Sequence, residues 1–536
     1  MGYIMASMKV ILSFPDEGER GPDVLPFVLM RDHVLPALEV RRAAFEAMYA
    51  VQMGRPEIDP VLLAGLSILQ MMQRMPDRAA VAACLYDVRW RIGLGLPPAW
   101  TPLHPTTLVH FRARLAKHGG AQLALDAGLE AMRRDGYLKG QRAVRIDSTH
   151  ALGLVAAMSR LECVRETLRL ALEFLAAFGG PEAWAPWCAR YEDRNPQDLR
   201  GASTARLRTT MDQAGADVRD VLERAMALGP AVAGAQPVAL LQRVFNEQFE
   251  PGQGTALAQR NAAPANAVQN PHDPESMWST KRTLGKAGWV GYKLQVCETA
   301  PEEPRTRGEP TPAVITAVVT QTATASDHGS LAPVLAKHAD SGGMPPQTVF
   351  ADAGYMSADE LAKAEAAGYE LCGPVGAPPH SAARFGSDSF EVNLPNRRAL
   401  CPAGKCSSAC SCIHDAARHG IQYYFAWAKA DCAVCPLADQ CLSKKTRGHF
   451  RTLQVGEKHM LVQARRTLCR TPEYQRRMFR RSGIEGTNSE LKRGYGIRRC
   501  RYRGRSKTEV QMQFVGAACN LRRWAARLFW IENDKR

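Results

Sequence analysis

QRAVRIDST, residues 141–149, is where the pattern of the chain changes from helical to extended. Val144 and Ile146 alternate with Arg145 and Asp147, the period of two that a half-buried strand requires, and Asp147-Ser148-Thr149 ends the run in a polar cluster. Two further runs, Gly291–Cys297 and Val314–Thr320, are joined by a charged, Pro-rich loop and read most simply as a hairpin. A helix near Gly329–His338 follows, then a strand from Gln347 that ends at Asp352, a helix over Ala358–Ala367 and a strand over Tyr369–Cys372. Strands alternating with helices predict an α/β core built from residues 139–158 and 272–376.

The flanks of that core read differently. Residues 1–24 are irregular, and 25–138 are helical: Asp59-Pro60 opens a segment with Leu62, Leu66 and Leu69 at helical spacing, and Pro105-Thr106-Thr107 opens another with Leu108, Phe111 and Leu115. Arg112, Arg114 and Lys117 lie on its other faces, so the unit fits either a DNA-reading or a packing and dimerising role. Within 159–271, Ser159 and Glu162 form a capping box ahead of Val164, Leu168, Leu172 and Leu175, and Gly179-Gly180 closes that helix, which predicts a helical insertion. Its end, residues 251–275, is aperiodic and reads as a surface connection. Residues 377–455 form a Cys-rich insertion and 456–536 are helical again.

Composition narrows the class. With 46% hydrophobic and 23% charged residues in 536, the chain is an ordinary globular protein long enough for several units. The net charge of +16 is localised: Lys444–Arg536 carries 25 Lys and Arg against 7 Asp and Glu, whereas the preceding 443 residues carry 44 against 46. Because these cations are interleaved with apolar and aromatic residues, a folded phosphate-binding surface is expected there, and double-stranded DNA as the partner. No uninterrupted apolar stretch is long enough to span a bilayer, and the first residues lack the features of a secretory signal, so no membrane role and a cytoplasmic, nucleoid-associated location are expected.

Fifteen cysteines in a reducing compartment argue against disulfides. The pair Cys432-Ala-Val-Cys435 has the gap that lets two thiolates grip one tetrahedral Zn²⁺, and Cys441 with Cys401 completes a candidate structural set. Cys406, Cys410, Cys412 and His414 leave the fourth ligand open. Four thiolates leave no open position for water, so such a zinc ion would not be catalytic.

Phosphoryl chemistry needs carboxylates that converge on divalent ions. Asp147 and Asp352 both end strands, where α/β sheets place their sites, although a lone aspartate there ordinarily caps a turn. The blocks Ile146-Asp-Ser-Thr, Phe350-Ala-Asp-Ala-Gly-Tyr and Ile484-Glu-Gly-Thr-Asn-Ser-Glu-Leu-Lys-Arg resemble, in order and context, the three signature blocks of bacterial insertion-sequence DDE transposases, nearest the insertion sequence eleven-eighty-two family. The resemblance spans roughly residues 30–525 and implies a ribonuclease H-like catalytic core, with Asp147, Asp352 and Glu485 holding two Mg²⁺ or Mn²⁺ ions. It also places the family's Arg–Glu–Lys spacing on Arg481, Glu485 and Lys492, whereas Met478 stands where relatives have a tyrosine and Tyr474 lies further back.

On a helix Glu485, Asn488 and Lys492 share a face, and the competing Glu490 falls off it. DNA contacts are expected from Arg481, Asn488, Lys492, Arg493, Arg498, Arg499, Arg501, Arg503 and Arg505, with Tyr495 and Tyr502 available to stack on bases. The function this implies is cleavage of transposon ends and strand transfer into target DNA, by a homodimer on DNA. The alternatives are a catalytically inactive DNA-binding derivative and a stand-alone nuclease of the same fold.

Overall fold

In the computed structural model the described residues are 21–49, 58–97, 99–193, 199, 201–252, 257–279, 288–302, 309–376, 384–415, 420–442 and 450–534. The expected irregular start lies almost wholly outside them.

The centre is a mixed sheet. Its strands are β1 (Ala143–Leu152), β2 (Met277–Ser279), β3 (Trp289–Thr299), β4 (Ile315–Thr322), β5 (Thr348–Phe350) and β6 (Glu370–Cys372). β1 pairs antiparallel with β3 and parallel with β5, β6 extends the parallel side, and β2 and β4 both pair with β3. The hairpin read from sequence is the β3–β4 pair. β1 runs three residues past the expected end, because its bonds to the long β3 continue to Leu152↔Gly291 while the short β5 accompanies it only from Ala143 to Arg145. Asp147 is therefore mid-strand toward β3, yet just beyond the strand end toward β5.

Helices cover both faces. Val144, Ile146 and Ala351 pack with Leu331 and Val334 of α7 (Leu331–Asp340) and Leu361 of α8 (Ala358–Ala366). On the other face Tyr292, Leu294 and Val296 share one apolar core with the N-terminal helices α1 (Pro60–Met72), α2 (Thr106–Lys117) and α3 (Leu123–Arg134), and with α12 (Arg505–Asp534). Asp59 caps α1 by accepting from Val61 N. α1 is buried nearly all round, as a helix apolar on every side must be. The N-terminal helices are thus a layer on the sheet. Arg112, one of the cations read on the other faces of α2, is buried against Asp77 at 2.6 Å with its guanidinium over the Tyr502 ring, so this side chain packs inside the molecule.

Residues 510–521 of α12 are buried without interruption. Three of this helix's polar side chains, at spacings of one and two helical turns, serve the outer edge of β4. Glu509 accepts from Thr320 N, Gln513 donates to the Val318 carbonyl, and Asn520 both accepts from Ile315 N and donates to the Ile315 carbonyl. An edge strand whose backbone groups are bonded this way offers no template to another strand.

Two insertions interrupt the core. Between β1 and β2, α4 (Arg160–Leu175), α5 (Thr204–Ala227) and α6 (Gln236–Gln248) build a core of their own, and the Ser159–Glu162 capping box is present. After β6, β7 (Ala409–Asp415), β8 (Gly420–Ala426) and β9 (Thr452–Gly456) form a small antiparallel sheet around Phe390, Phe425 and Trp427. The chain then returns through α9 (His459–Cys469), α10 (Pro472–Met478) and α11 (Gly483–Gly494).

Candidate active site

Register brings the two aspartates together. Arg145 of β1 is opposite Phe350 of β5, so two residues further on Asp147 and Asp352 emerge side by side from adjacent parallel strands. Asp352 also caps the turn after β5 by accepting from Gly354 N at 2.8 Å, so the ordinary turn-forming role and the site position coincide. The Asp147 carboxyl is pushed up to about 6, first by burial and then by the negative charges of Asp352 and Asp327, against the Ser148 N–H and Arg481. Tyr355, whose hydroxyl donates to Gln295, is pushed up by burial and by the same three aspartates.

α11 lies across β1. Its Asn488 donates from Nδ2 to Asp147 Oδ2 at 2.9 Å, while Oδ1 is buried with no hydrogen-bond partner among the described residues. Glu485, one turn earlier, is 62% exposed and pairs with Arg481 at 3.2 Å, so it stands at the rim and does not touch the two aspartates. Glu490 points away into a buried network: Arg523 bonds both Glu490 and Glu298, and Glu298 also takes Arg145 and Thr487. That commitment removes Glu490 as a competitor of Glu485. An oxygen-only set with one buried carbonyl oxygen unsatisfied among the described residues and one carboxyl driven up by burial and by its acidic neighbours suits a hard divalent cation. Among the described residues no three His, Cys, Asp or Glu side chains are already gathered as a metal cage.

The basic segment abuts this site. Leu152 N donates to the Arg498 carbonyl and Cys500 N to the Leu152 carbonyl, both at 2.8 Å, pinning 498–500 to the end of β1. Arg493, Arg498, Arg499, Arg503 and Arg505 are exposed. Arg505 is held by Glu275 at 3.3 Å, and Gly504 N bonds Asp273, so two sequence blocks 230 residues apart meet at the start of α12. Arg501 is half-buried and donates to the Met75 carbonyl. Lys492 is held below the ordinary lysine value by burial and by Arg498, opposed by Asp147.

Several expectations are corrected. Asn488 is buried and bonded to Asp147, so it orients a carboxylate and does not reach outward to DNA. Tyr495 is a core residue and Tyr502 lies under Arg112, so neither is presented to bases. Tyr474, the tyrosine that lies further back than Met478, is buried, its hydroxyl accepting from Gly373 N. Lys293, to which the sequence alone assigns no role, is buried and bonded to Asp327 and the Ala325 carbonyl. Asp327 itself escaped sequence reading. Its only signal was a strand followed by Ser326-Asp327-His328-Gly329, a third aspartate on a turn after a strand. The Cys441 thiol is pushed up by burial and by Cys432, Cys401 and Cys435, opposed by Arg451, which puts each of the three within electrostatic reach of Cys441.

A mixed sheet of this order, with acidic residues at the ends of its central parallel strands, is consistent with a ribonuclease H-like core. Residues 400–525 match the family model of a transposase DDE domain, and residues 20–114 match that of a transposase domain (DUF772). The first match takes in most of the Cys-rich insertion, Glu485 and most of α12; the second takes in α1 and most of α2. Together they support a DNA transposase of the bacterial insertion-sequence DDE type, a class that works on DNA with divalent metal, typically Mg²⁺. No curated protein and no solved structure matches the chain. No helix among the described residues is long and apolar enough to cross a membrane.

Proposed function

We propose that this chain, a member of the insertion sequence eleven-eighty-two family, cuts double-stranded DNA at the ends of its own element and joins the released 3′ hydroxyls to target DNA. The observation that carries the reading is the emergence of Asp147 and Asp352 from adjacent strands beneath a helix bearing Asn488 and Glu485, with an arginine strip pinned to the same strand. Two Mg²⁺ or Mn²⁺ ions held by Asp147, Asp352 and Glu485 would activate the attacking oxygen and stabilise the leaving one. Asn488 fixes the Asp147 carboxylate, while Arg481 at the rim and Lys492, Arg493, Arg498, Arg499, Arg503 and Arg505 grip backbone phosphates. Each step exchanges one P–O bond for another, so no covalent enzyme intermediate is needed. Holding two ends at once calls for two such sites, hence a homodimer on DNA in the nucleoid.

The same reading assigns Cys401, Cys432, Cys435 and Cys441 to a structural Zn²⁺ that organises the small β-sheet insertion. The test of catalysis is cleavage of a DNA fragment carrying the inverted repeats that flank the gene. Wild type with Mg²⁺ is expected to cut and join it, and Asp352→Asn to bind it yet cut at least about a thousandfold more slowly, a loss of about 4 kcal/mol. Undiminished cutting by Asp352→Asn overturns the assignment, and binding without cutting in wild type points to an inactive derivative.

A further inference from the structure

We propose that Asp327 is a fourth carboxylate of the metal site, set in place by Lys293. The inference rests on the divalent-metal reading of Asp147 and Asp352 above and adds a residue that neither strand end supplies.

The Lys293 amine is almost fully buried, and a buried ammonium persists only with a partner. It has two: the Ala325 carbonyl and Asp327 Oδ1, the latter at 3.1 Å. One carboxylate oxygen is thereby anchored, and the other, Oδ2, lies on the side of Gly354. A Cβ placed on Gly354 would lie 3.2 Å from Asp327 Oδ2 and 3.0 Å from Asp352 Oδ1, so these oxygens flank the same point, and the glycine leaves room for both. The independent sign of a ligand is Asn488, which is 6% exposed, bonded through Nδ2 to Asp147, and has a buried Oδ1 with no partner among the described residues.

Charge balance points the same way. Three carboxylates gather here, of which Lys293 contacts only Asp327, while Asn488 bonds Asp147 and Arg481 is paired with Glu485 at the rim. A divalent cation between them relieves that excess, and Lys293 serves as the positioning residue that keeps the Asp327 carboxylate turned toward it.

The experiment is Mn²⁺ binding by the full chain without DNA, read from the free-ion paramagnetic resonance signal, alongside thermal melting with and without Mn²⁺. Wild type is expected to bind Mn²⁺ and melt higher in its presence. Asp327→Asn, which is isosteric and can still accept from Lys293, is expected to lose at least about tenfold in affinity and most of the Mn²⁺-induced rise. Asp352→Asn should behave alike, and Asp327→Glu should recover part of the affinity. Mn²⁺ affinity equal to wild type in both Asp327 variants, with binding lost in Asp352→Asn, overturns this assignment alone and leaves Asp327 a partner of Lys293. No binding by wild type, or full binding by Asp352→Asn, overturns the metal-site reading and this inference together.

Discussion

Asn488 shows how one side chain can report on chemistry without performing it. It ties α11 to Asp147 and leaves an acceptor buried and unsatisfied, an arrangement that costs about 1–3 kcal/mol unless a ligand answers it. Asn488→Ala is expected to keep the fold and DNA binding while lowering metal-dependent cleavage by about 10–100-fold, the range for groups that orient a ligand. A wild-type rate in that variant would remove Asn488 from the site. His338 makes a different test. Burial pushes its imidazole below the ordinary value, and its two nitrogens meet the Thr316 hydroxyl and the Met344 carbonyl. The unfolded chain therefore binds more protons than the folded one below about pH 6.5, so stability is whole above that pH and falls as pH drops through it. His338→Gln should flatten this limb of the urea midpoint plotted against pH, and an unchanged slope would exclude His338 as its source.

Elements were more legible than their ends. The capping box at Ser159, the β3–β4 hairpin and α8 fall where local pattern put them, since each signal lies within a few residues. The end of β1 was misjudged because a polar triplet looks like a stop. Strand length is set by the partner, and β3 is long enough to carry β1 to Leu152. Asp327 is not legible in the sequence, and Lys293 receives no assignment from it, for a related reason. They come from different elements 34 residues apart, and only the closed fold shows that the lysine is inside. The Cys-rich insertion is a small three-stranded sheet with few fully buried side chains, so its stability should depend on more than packing. The purified protein is expected to carry close to one zinc per chain by elemental analysis, and chelation should selectively loosen 384–456 in hydrogen exchange. Full protection of that segment in metal-free protein would count against zinc there.

At the scale of the molecule, the clustering of charge in the last fifth of the sequence proved informative about position. The exposed arginines of 493–505 lie beside the end of β1, within the segment that also carries Glu485. Replacing Arg498 and Arg499 together with alanine should weaken DNA binding on all sequences and reduce the slope of log affinity against log salt by about two, measured by fluorescence anisotropy. An unaltered slope would place the DNA elsewhere. The N-terminal helices were legible as helices but not as a layer on the sheet, because helical apolar stripes do not reveal what they pack against.

The bonding of β4 by α12 also bears on biosynthesis. The residues that seal Thr320, Val318 and Ile315 are encoded 189, 195 and 205 positions later. A ribosome therefore releases a bare strand margin long before its cover, and the growing polypeptide is sticky through the making of the whole Cys-rich segment. Any copy of the gene broken before that helix yields a product unable to close its sheet, so truncated translation products should precipitate and be degraded before they can occupy DNA.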